Sequence, residues 1–208
     1  MSRYLRQLDV LDQPRLSDTP ITIIGAGAIG SFTALALAKC GAKHITVYDP
    51  DIVAEHNLSN QWYRVCDVGR KKVDALKELI AEVTGTAIQG VCELFVDQPC
   101  SEVTICAVDS MDTRIALWGC LHPRPELYID ARMGAEVGKV FCVGPASQWY
   151  GDTLHTSAEA YHAPCTARAT MYCASGLASI ISSQVAQHVS QRPTRPQLTI
   201  DFRNMILC

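Results

Sequence analysis

The chain contains 208 residues, 48% of them hydrophobic, and its formal net charge at pH 7 is −3. A chain of this size is expected to form one domain, because it carries enough apolar side chains for a single core. The small negative charge gives no electrostatic basis for binding nucleic acid or a membrane surface. The amino-terminal segment is polar, and no apolar run of about 18 residues follows it, so we expect a cytoplasmic protein without a membrane span.

The sequence has ten cysteines but no C-x-x-C pair. It therefore predicts neither a four-cysteine zinc site nor a thioredoxin-type redox pair, and we expect no zinc. Cys40, Cys106 and Cys142 lie in apolar stretches, where a thiol behaves as a small buried hydrophobe. Because no secretion signal is recognisable, a disulfide framework is not expected.

Turn residues and hydrophobic periodicity divide the chain into alternating strands and helices. The amino-terminal half is predicted to contain a helix or arm at 3–12, a turn-rich entry at 16–20, strands at 21–24, 44–48, 87–94 and 103–107, helices at 28–40 and 71–84, and a long loop at 49–70. The carboxy-terminal half is predicted to contain helices at 112–122 and 176–191, strands at 128–131, 138–143 and 197–202, and an irregular segment at 148–172. This order predicts an α/β fold, with a mainly parallel sheet flanked by helices and an antiparallel carboxy-terminal extension.

A glycine motif directly follows the first predicted strand. Gly25 permits a tight turn, Gly27 lets a phosphate approach the backbone, and Gly30 lets the next helix pack against the strand. The start of that helix presents free N–H groups and a partial positive charge to an anion. The second strand ends at Asp49, where a carboxylate can hydrogen-bond ribose hydroxyls. The unit predicts a Rossmann-like nucleotide site, which would serve ATP or the NAD of an oxidoreductase equally well.

A further polar residue, Asp109, follows the predicted strand at 103–107. Ligands of such sheets bind at the carboxyl ends of the strands, so Gly25, Asp49 and Asp109 are expected to meet at one site. A simpler role for Asp109 is to cap the helix that begins nearby, which is a common use of aspartate after a strand.

The loop after the second strand contains Asp49-x-Asp51, then Asn57-x-x-Asn60-Gln61, and Gly69-x-x-Lys72 follows. Together with the glycine motif and the strand-end aspartate, this pattern resembles the ATP-dependent adenylyltransferases of the MoeB/ThiF and ubiquitin-activating family. The resemblance covers residues 3–140 well and the remainder weakly. It implies one ThiF-like adenylation domain over 1–208, with an amino-terminal arm at 1–20 and a mobile crossover loop at 148–172.

The resemblance also implies a role for each matching residue. Asp49 would hold the ribose, Asn57 would touch the phosphate region, and Lys72 would neutralise the triphosphate. The full set expected to bind ATP is Gly25, Gly27, Gly30, Asp49, Asp51, Asn57, Gln61 and Lys72. Asp109 would bind the catalytic Mg²⁺. Arg6 matches the family's amino-terminal arginine that reaches ATP in the partner subunit, which implies a homodimer.

One residue departs from the family's pattern. Asn60 occupies the position of the loop arginine, and its carboxamide can hydrogen-bond a phosphate but carries no charge. Either Arg64, Arg70 or Lys71 takes over the missing charge, or the activity is weakened or altered.

Two further sites remain open. Cys165, in the 148–172 segment, resembles the thioester-forming cysteine of some ubiquitin-activating enzymes, and His162 and Arg168 are near it in sequence; the alternative is a structural cysteine. Cys173 is a second and more structural candidate. Asp130 and Arg132, at the end of the next strand, either line the acceptor side, with Arg132 gripping a carboxylate, or form an internal pair that braces the sheet.

The combined pattern favours an enzyme that uses ATP and Mg²⁺ to activate a carboxy-terminal carboxylate as an acyl-adenylate. The expected partner is a small ubiquitin-like or sulfur-carrier protein, or a peptide, and a thioester on Cys165 would follow. Two alternatives differ in class. The first is a non-catalytic nucleotide-binding subunit, which Asn60 favours; the second is an NAD-dependent oxidoreductase, which leaves Asn57, Gln61 and Lys72 unexplained.

Overall fold

A single eight-stranded sheet organises the structure, a computed structural model that describes residues 3–155 and 169–208. The strands are β1 (Pro20–Ile24), β2 (His44–Tyr48), β3 (Gln89–Val91), β4 (Val103–Cys106), β5 (Leu127–Gly134), β6 (Val137–Val143), β7 (Gln197–Asp201) and β8 (Ile206–Leu207). The α-helices of the described part are α1 (Gln13–Asp18), α2 (Ala28–Cys40), α3 (Lys72–Thr84), α4 (Met111–Leu121) and α5 (Met171–Val189). Short 3₁₀ helices lie at Leu5–Gln7, Glu55–Asn57, Val65–Asp67 and Trp149–Thr153.

The strand order is β3-β2-β1-β4-β5-β6-β7-β8. The first five strands of this order run parallel to one another, and β6, β7 and β8 continue the sheet as antiparallel neighbours of β5. The predicted fold class, a mainly parallel sheet with an antiparallel carboxy-terminal extension, is therefore confirmed. This order also makes β2, β1 and β4 direct neighbours, so that their carboxyl ends share one edge.

Helices cover both faces of the sheet, and each face has its own apolar core. On one face, α2, α3 and α5 contribute buried side chains such as Leu37, Leu76 and Ile181. On the other face, α4 and the 3₁₀ helix at Trp149–Thr153 contribute an aromatic cluster that includes Tyr150. A parallel sheet buried on both faces requires strands that are apolar throughout, and β4 is buried at every position.

Several predicted elements are confirmed, and others need correction. The bounds of α2 and β2 match the prediction, and Gly41 ends α2 in the left-handed conformation. The turn-rich entry predicted within the amino-terminal arm is instead the helix α1, in which Leu16 is buried. The helix predicted to start at Gly176 starts at Met171, so Gly176 lies inside α5, where the ring of Phe202 packs against it.

Two further corrections concern the ends of the sheet and the crossover. The strand predicted at 87–94 is only the three residues of β3, and β8 was not predicted. Within the predicted crossover loop, Trp149–Thr153 form a 3₁₀ helix in which Tyr150 is completely buried. Across residues 3–155 and 169–208, no helix has the length and apolar character needed to cross a bilayer.

Candidate active site

The glycine turn lies between the ends of two neighbouring strands. The N–H of Gly25 donates to the carbonyl of Tyr48 over 2.8 Å, and the N–H of Ala107 donates to the carbonyl of Ile24 over 2.8 Å. These bonds connect the end of β1 with the ends of β2 and β4. The segments that carry Gly25, Asp49 and Asp109 are thus adjacent, as their positions at strand ends predict.

Each glycine of the motif occupies a different environment. Gly25 has a φ of 99°, and a Cβ there would approach the carbonyl oxygen of Ala107 to 2.7 Å, so both its conformation and its surroundings favour glycine. A Cβ on Gly30 would collide with the backbone of Gly25, which shows how closely α2 packs on the turn. Gly27 precedes α2 as its N-cap residue, and nothing lies within 4 Å of the place a Cβ would take. The amino terminus of α2 therefore faces open space of the kind an anion can enter.

Asp49 is buried and braces this turn. Its Oδ2 accepts from the N–H of Ala26 at 2.7 Å, and its Oδ1 accepts from the N–H of Asp51 at 2.8 Å. Ala26 is also held at its carbonyl, which accepts from the hydroxyl of Tyr63 at 2.7 Å. Burial and, after it, the charge of Asp49 raise the pKa of Tyr63, so its hydroxyl keeps its proton. A carboxylate has more acceptor positions than these bonds use, so Asp49 retains capacity for ribose hydroxyls.

Lys72 lies at the start of α3 and points back to the end of β2. Its Nζ is 2.8 Å from Oδ2 of Asp51 and 3.9 Å from Oδ1 of Asp49. The lysine is buried, whereas the side chain of Asp51 is 63% exposed. One cation thus faces two carboxylates, which leaves this group with a net negative charge.

Asn57 shapes the loop that follows. Its Oδ1 accepts from the N–H of Ala54 at 2.8 Å, and its backbone carbonyl accepts from the N–H of Gln61 at 2.9 Å. Two neighbouring carboxamide oxygens, Oδ1 of Asn60 and Oε1 of Gln61, are buried without a partner among the described residues. Buried polar atoms are almost always hydrogen-bonded, so these two oxygens are candidate contacts for a bound ligand.

The two arginines expected to compensate for Asn60 form ion pairs with other residues of the chain. Arg64 donates to both oxygens of the fully buried Asp67, at 3.0 Å each, and also binds Glu78 and Glu82. Arg70 donates to Asp67 at 2.9 Å and also pairs with Glu78. Neither guanidinium is directed to the glycine turn, so the expectation that one of them replaces the loop arginine is not supported. Lys71 is exposed at the N-cap of α3.

Burial alone would raise the pKa of Asp67. The hydrogen bonds and charges of Arg64 and Arg70 outweigh burial and hold that pKa below its usual range. Asp67 therefore stays ionised and fixes the loop that leads into α3.

Asp109 is exposed and makes no hydrogen bond or ion pair with any residue in the described part of the chain. The helix cap is Ser110 instead, whose Oγ accepts from the N–H of Thr113 at 3.3 Å. The capping role proposed for Asp109 is therefore wrong. A free carboxylate at a strand end is a suitable oxygen ligand for a hard cation such as Mg²⁺.

Asp130 and Arg132 form the internal brace rather than an open acceptor site. Asp130 is fully buried and accepts from Arg114 at 2.8 Å, from Arg132 at 2.6 Å and from the hydroxyl of Tyr150 at 2.9 Å. Arg132 also donates to the carbonyl and hydroxyl oxygens of Thr153. Each of the three guanidinium nitrogens of Arg132 thus donates to an acceptor within the chain, which fixes the side chain as part of the internal brace.

Arg114 is a residue that the sequence analysis missed. It lies on α4, is buried, and donates to Asp130 and to the backbone carbonyls of Val108 and Ala131. The available signal was a single basic residue, five positions after Asp109, in a helix that is apolar after that residue.

Arg6 lies far from the glycine turn of its own chain. Its 3₁₀ helix is exposed, and the adjacent Tyr4 and Arg3 contact Gly41 and Thr84, at the carboxyl ends of α2 and α3. Since α2 starts at the glycine turn and is 13 residues long, its far end is about 20 Å away. Arg6 is therefore not part of the site in its own chain.

Among the described cysteines, Cys106, Cys142 and Cys173 are buried, whereas Cys40, which was also expected to be buried, is only partly so. Cys165, with His162 and Arg168, lies outside the described residues. Burial, followed by the charge of Glu136, raises the pKa of Cys173 to about 11, so this thiol is a structural residue rather than a nucleophile. Cys106 and Cys142 are buried as predicted, and burial raises the pKa of each to about 12.

The order of these site residues agrees with a known family. A family model described as the ThiF family matches residues 1–205. The chain belongs to the ThiF family. This membership gives no support to the oxidoreductase alternative.

Two curated proteins and one solved structure illustrate the relationship. "Probable adenylyltransferase/sulfurtransferase MoeZ" of Mycobacterium tuberculosis is 37% identical over 89 residues, 40% of this chain and 23% of MoeZ. "Ubiquitin-like modifier-activating enzyme 5" of Arabidopsis thaliana is 31% identical over 80 residues, 38% of this chain and 19% of that protein. The matched stretches thus span less than a quarter of these relatives. The crystal structure of E. coli MccB with ATP superposes with a TM-score of 0.80 at 16% identity, covering 100% of this chain and 70% of that one, which shows a shared fold.

Proposed function

We propose that this chain adenylates the carboxy-terminal carboxylate of a small ubiquitin-like or sulfur-carrier protein, or of a peptide, at the expense of ATP. The proposal treats residues 1–208 as one ThiF-like adenylation domain. The proposal rests on an open helix terminus at Gly27, on the lysine Lys72 beside the end of β2, and on the exposed carboxylate of Asp109 in the segment after β4. These groups answer the needs of a nucleotide whose phosphates must be held and polarised.

In this reaction the protein forms no covalent bond itself; its main task is to stabilise the negative charges of the acceptor carboxylate and the phosphates. A carboxylate oxygen of the acceptor attacks the α-phosphorus of ATP, a new O–P bond forms, and the bond to the β-phosphate breaks with release of pyrophosphate. The approach of two anions must be compensated by cations and N–H donors fixed in advance. Backbone N–H groups at the start of α2 and the ammonium of Lys72 are the donors that this chain offers.

These donors leave a shortage of positive charge. Lys72 already faces Asp49 and Asp51, and Asn60 stands where the family has an arginine. Asp109 fits the role of magnesium ligand because its carboxylate is exposed and unpaired among the described residues. Magnesium, when bound, would offset phosphate charge and orient the phosphates. Asp49, Asn57 and Gln61 would hold the remainder of the nucleotide.

A second copy of the chain would supply the other missing cation. Arg6 is exposed and remote from its own site, and its neighbours Leu5, Leu8 and Val10 are exposed apolar residues suited to an interface. We therefore propose a homodimer in which Arg6 acts in the partner's site.

Mixing two inactive variants tests this arrangement. Arg6→Ala and Asp109→Ala chains, unfolded together and refolded, should regain up to about a quarter of wild-type activity, because mixed two-fold dimers contain one intact site. Each variant refolded alone is the control. Absence of recovery, despite mixed dimers seen by mass spectrometry, would place Arg6 outside the reaction.

A thioester step on Cys165 is a further part of the proposal and rests on the family resemblance alone. Cys165→Ala should abolish any thiol-sensitive conjugate between chain and acceptor while leaving adenylate formation intact; Cys173→Ala is the matched control. Survival of the conjugate in the Cys165 variant would show that Cys165 is structural.

One alternative has a specific observation in its favour. Asn60 removes a charge, and Arg64 and Arg70 are both bound to Asp67 instead of replacing it. A nucleotide-binding subunit that assists an active relative would tolerate this loss.

Magnesium-dependent exchange of radioactive pyrophosphate into ATP separates the two functions. The assay should be run with and without candidate ubiquitin-like carriers and peptides that end in a free carboxylate. Carrier-dependent exchange is expected, and Asp109→Asn should remove it. ATP binding without exchange for any acceptor would favour the non-catalytic subunit, and absence of ATP binding would overturn both.

A further inference from the structure

The turn that carries Asp109 is fixed on both sides by bonds that do not involve Asp109 itself. Before it, the N–H of Ala107 donates to β1 at Ile24. After it, Ser110 caps α4 with its side chain and accepts from the N–H of Arg114 at 3.2 Å with its carbonyl. Asp109 is thus held by its backbone while its carboxylate remains open to solvent.

Arg114 provides the connection between this turn and the next strand. The last paired residues of β4 and β5 are Cys106 and Asp130, so no strand pairing continues to Val108. Beyond that point, the guanidinium of Arg114 spans the gap, since its Nη2 donates to the carbonyls of both Val108 and Ala131. Of these two residues, Val108 directly precedes Asp109, so the bond to its carbonyl holds the turn next to Asp109.

The anchor for Arg114 is itself rigid. Nε of Arg114 donates to Oδ1 of Asp130 at 2.8 Å, while Arg132 and Tyr150 occupy Oδ2 of the same carboxylate. Arg114 and Asp130 are both buried, so solvent does not compete for these bonds. The guanidinium therefore has one orientation, and the carbonyl of Val108 has a fixed partner.

We propose that Arg114 is a positioning residue for the magnesium ligand Asp109, an inference that rests on the proposed function. Mg²⁺ requires near-octahedral geometry and tolerates little displacement of its ligands. Groups that orient a ligand without touching the metal change metal affinity or activity by about 10- to 100-fold when they are removed. Arg114 acts through the backbone of Val108 and touches neither nucleotide nor metal.

Two substitutions at Arg114 and one control test the inference. Arg114→Met removes all three bonds. Arg114→Lys keeps a positive charge beside Asp130, but one ammonium cannot reach Asp130, Val108 and Ala131 in the manner of a planar guanidinium. Tyr150→Phe removes a bond to the same carboxylate without affecting Val108, and it is the matched control.

The first measurement is hydrogen exchange of the peptide covering residues 107–113, followed by mass spectrometry on the nucleotide-free chain. Both Arg114 variants should exchange this peptide faster than the wild type, and Tyr150→Phe should not. This measurement needs no ATP, so it tests the anchoring of the turn even if the proposed function is wrong. Unchanged exchange in the folded Arg114→Lys chain would overturn the inference.

The second measurement is the Mg²⁺ concentration that gives half-maximal binding of a non-hydrolysable ATP analogue, determined by calorimetry. It should rise by about 10- to 100-fold in the folded Arg114→Lys chain and stay near wild type in Tyr150→Phe. An equal rise of this Mg²⁺ concentration in Arg114→Lys and Tyr150→Phe would assign Arg114 to stability alone. No rise in Arg114→Lys would overturn the inference. If the wild type binds the analogue without any need for Mg²⁺, the metal part of the proposed function fails and the positioning role fails with it.

Discussion

Asp109 follows the end of β4, and Asp130 lies in the neighbouring strand β5 opposite the last residue of β4, yet the surroundings of the two carboxylates are opposite. Asp130 is fully buried and accepts hydrogen bonds from Arg114, Arg132 and Tyr150. Asp109 is exposed and has no such partner within residues 3–155 and 169–208. A carboxylate whose acceptors are saturated inside the protein serves the fold, whereas one held open at a strand end is available to a ligand.

The largest expected effect comes from removing the charge of the saturated carboxylate. Asp130→Asn leaves the buried Arg114 and the partly buried Arg132 without their counter-charge, and the loss of one partner from a buried ion pair costs about 3 to 5 kcal/mol. Chemical denaturation should show this loss in the free energy of unfolding. If the variant is as stable as the wild type, the brace contributes nothing and the contrast between the two aspartates is wrong.

The opposite pattern is expected for the open carboxylate. Asp109→Asn should reduce Mg²⁺-dependent pyrophosphate exchange by about 100-fold or more, because a group that compensates transition-state charge is lost. Its free energy of unfolding should change by no more than about 0.5 kcal/mol, as for other exposed residues without partners. Large loss of stability with retained exchange would reverse the roles assigned to the two residues.

A smaller, pH-dependent effect is expected at Asp67, which is buried like Asp130 but is paired with two partly exposed arginines. Its pKa is lower in the folded chain than in the unfolded chain, so its contribution to stability is complete above the unfolded pKa of about 3.9 and is lost as the pH falls through the folded value. Asp67→Asn should cost about 1 kcal/mol at pH 7.

The pH series provides the control for that prediction. The difference in melting temperature between wild type and Asp67→Asn should shrink as the pH is lowered below 4, whereas exposed Asp18→Asn should show no such convergence. A difference that is independent of pH would mean that the charge of Asp67 is not what stabilises the loop.

The glycine turn and the two elements after it could be predicted because local sequence determines them. Gly25 and Gly41 adopt left-handed conformations, and β1 and α2 end directly before them. Helix α1 also has local signals, since Asp12 caps it and a proline stands in its first turn, but its six residues are too few for a clear apolar period. In short elements, capping and turn residues such as aspartate, proline and glycine are therefore more informative than hydrophobic periodicity.

The buried network around Asp130 could not be predicted in the same way. Arg114 is 16 residues away from Asp130 in sequence, and the bond between them depends on how the folded chain brings α4 to β5. From the sequence alone, Asp130 and Arg132 fit a substrate grip and an internal brace equally well. Only the position of a third residue, Arg114, decides between these roles.

The backbone of Ala26 is held on both sides, by Asp49 at its N–H and by the hydroxyl of Tyr63 at its carbonyl. Neither of the two peptide groups that flank this residue can rotate without breaking a buried hydrogen bond. The conformational entropy of the turn is therefore lost during folding and need not be lost again when a ligand arrives. For this part of the site we expect lock-and-key association, with any induced fit confined to regions beyond the turn.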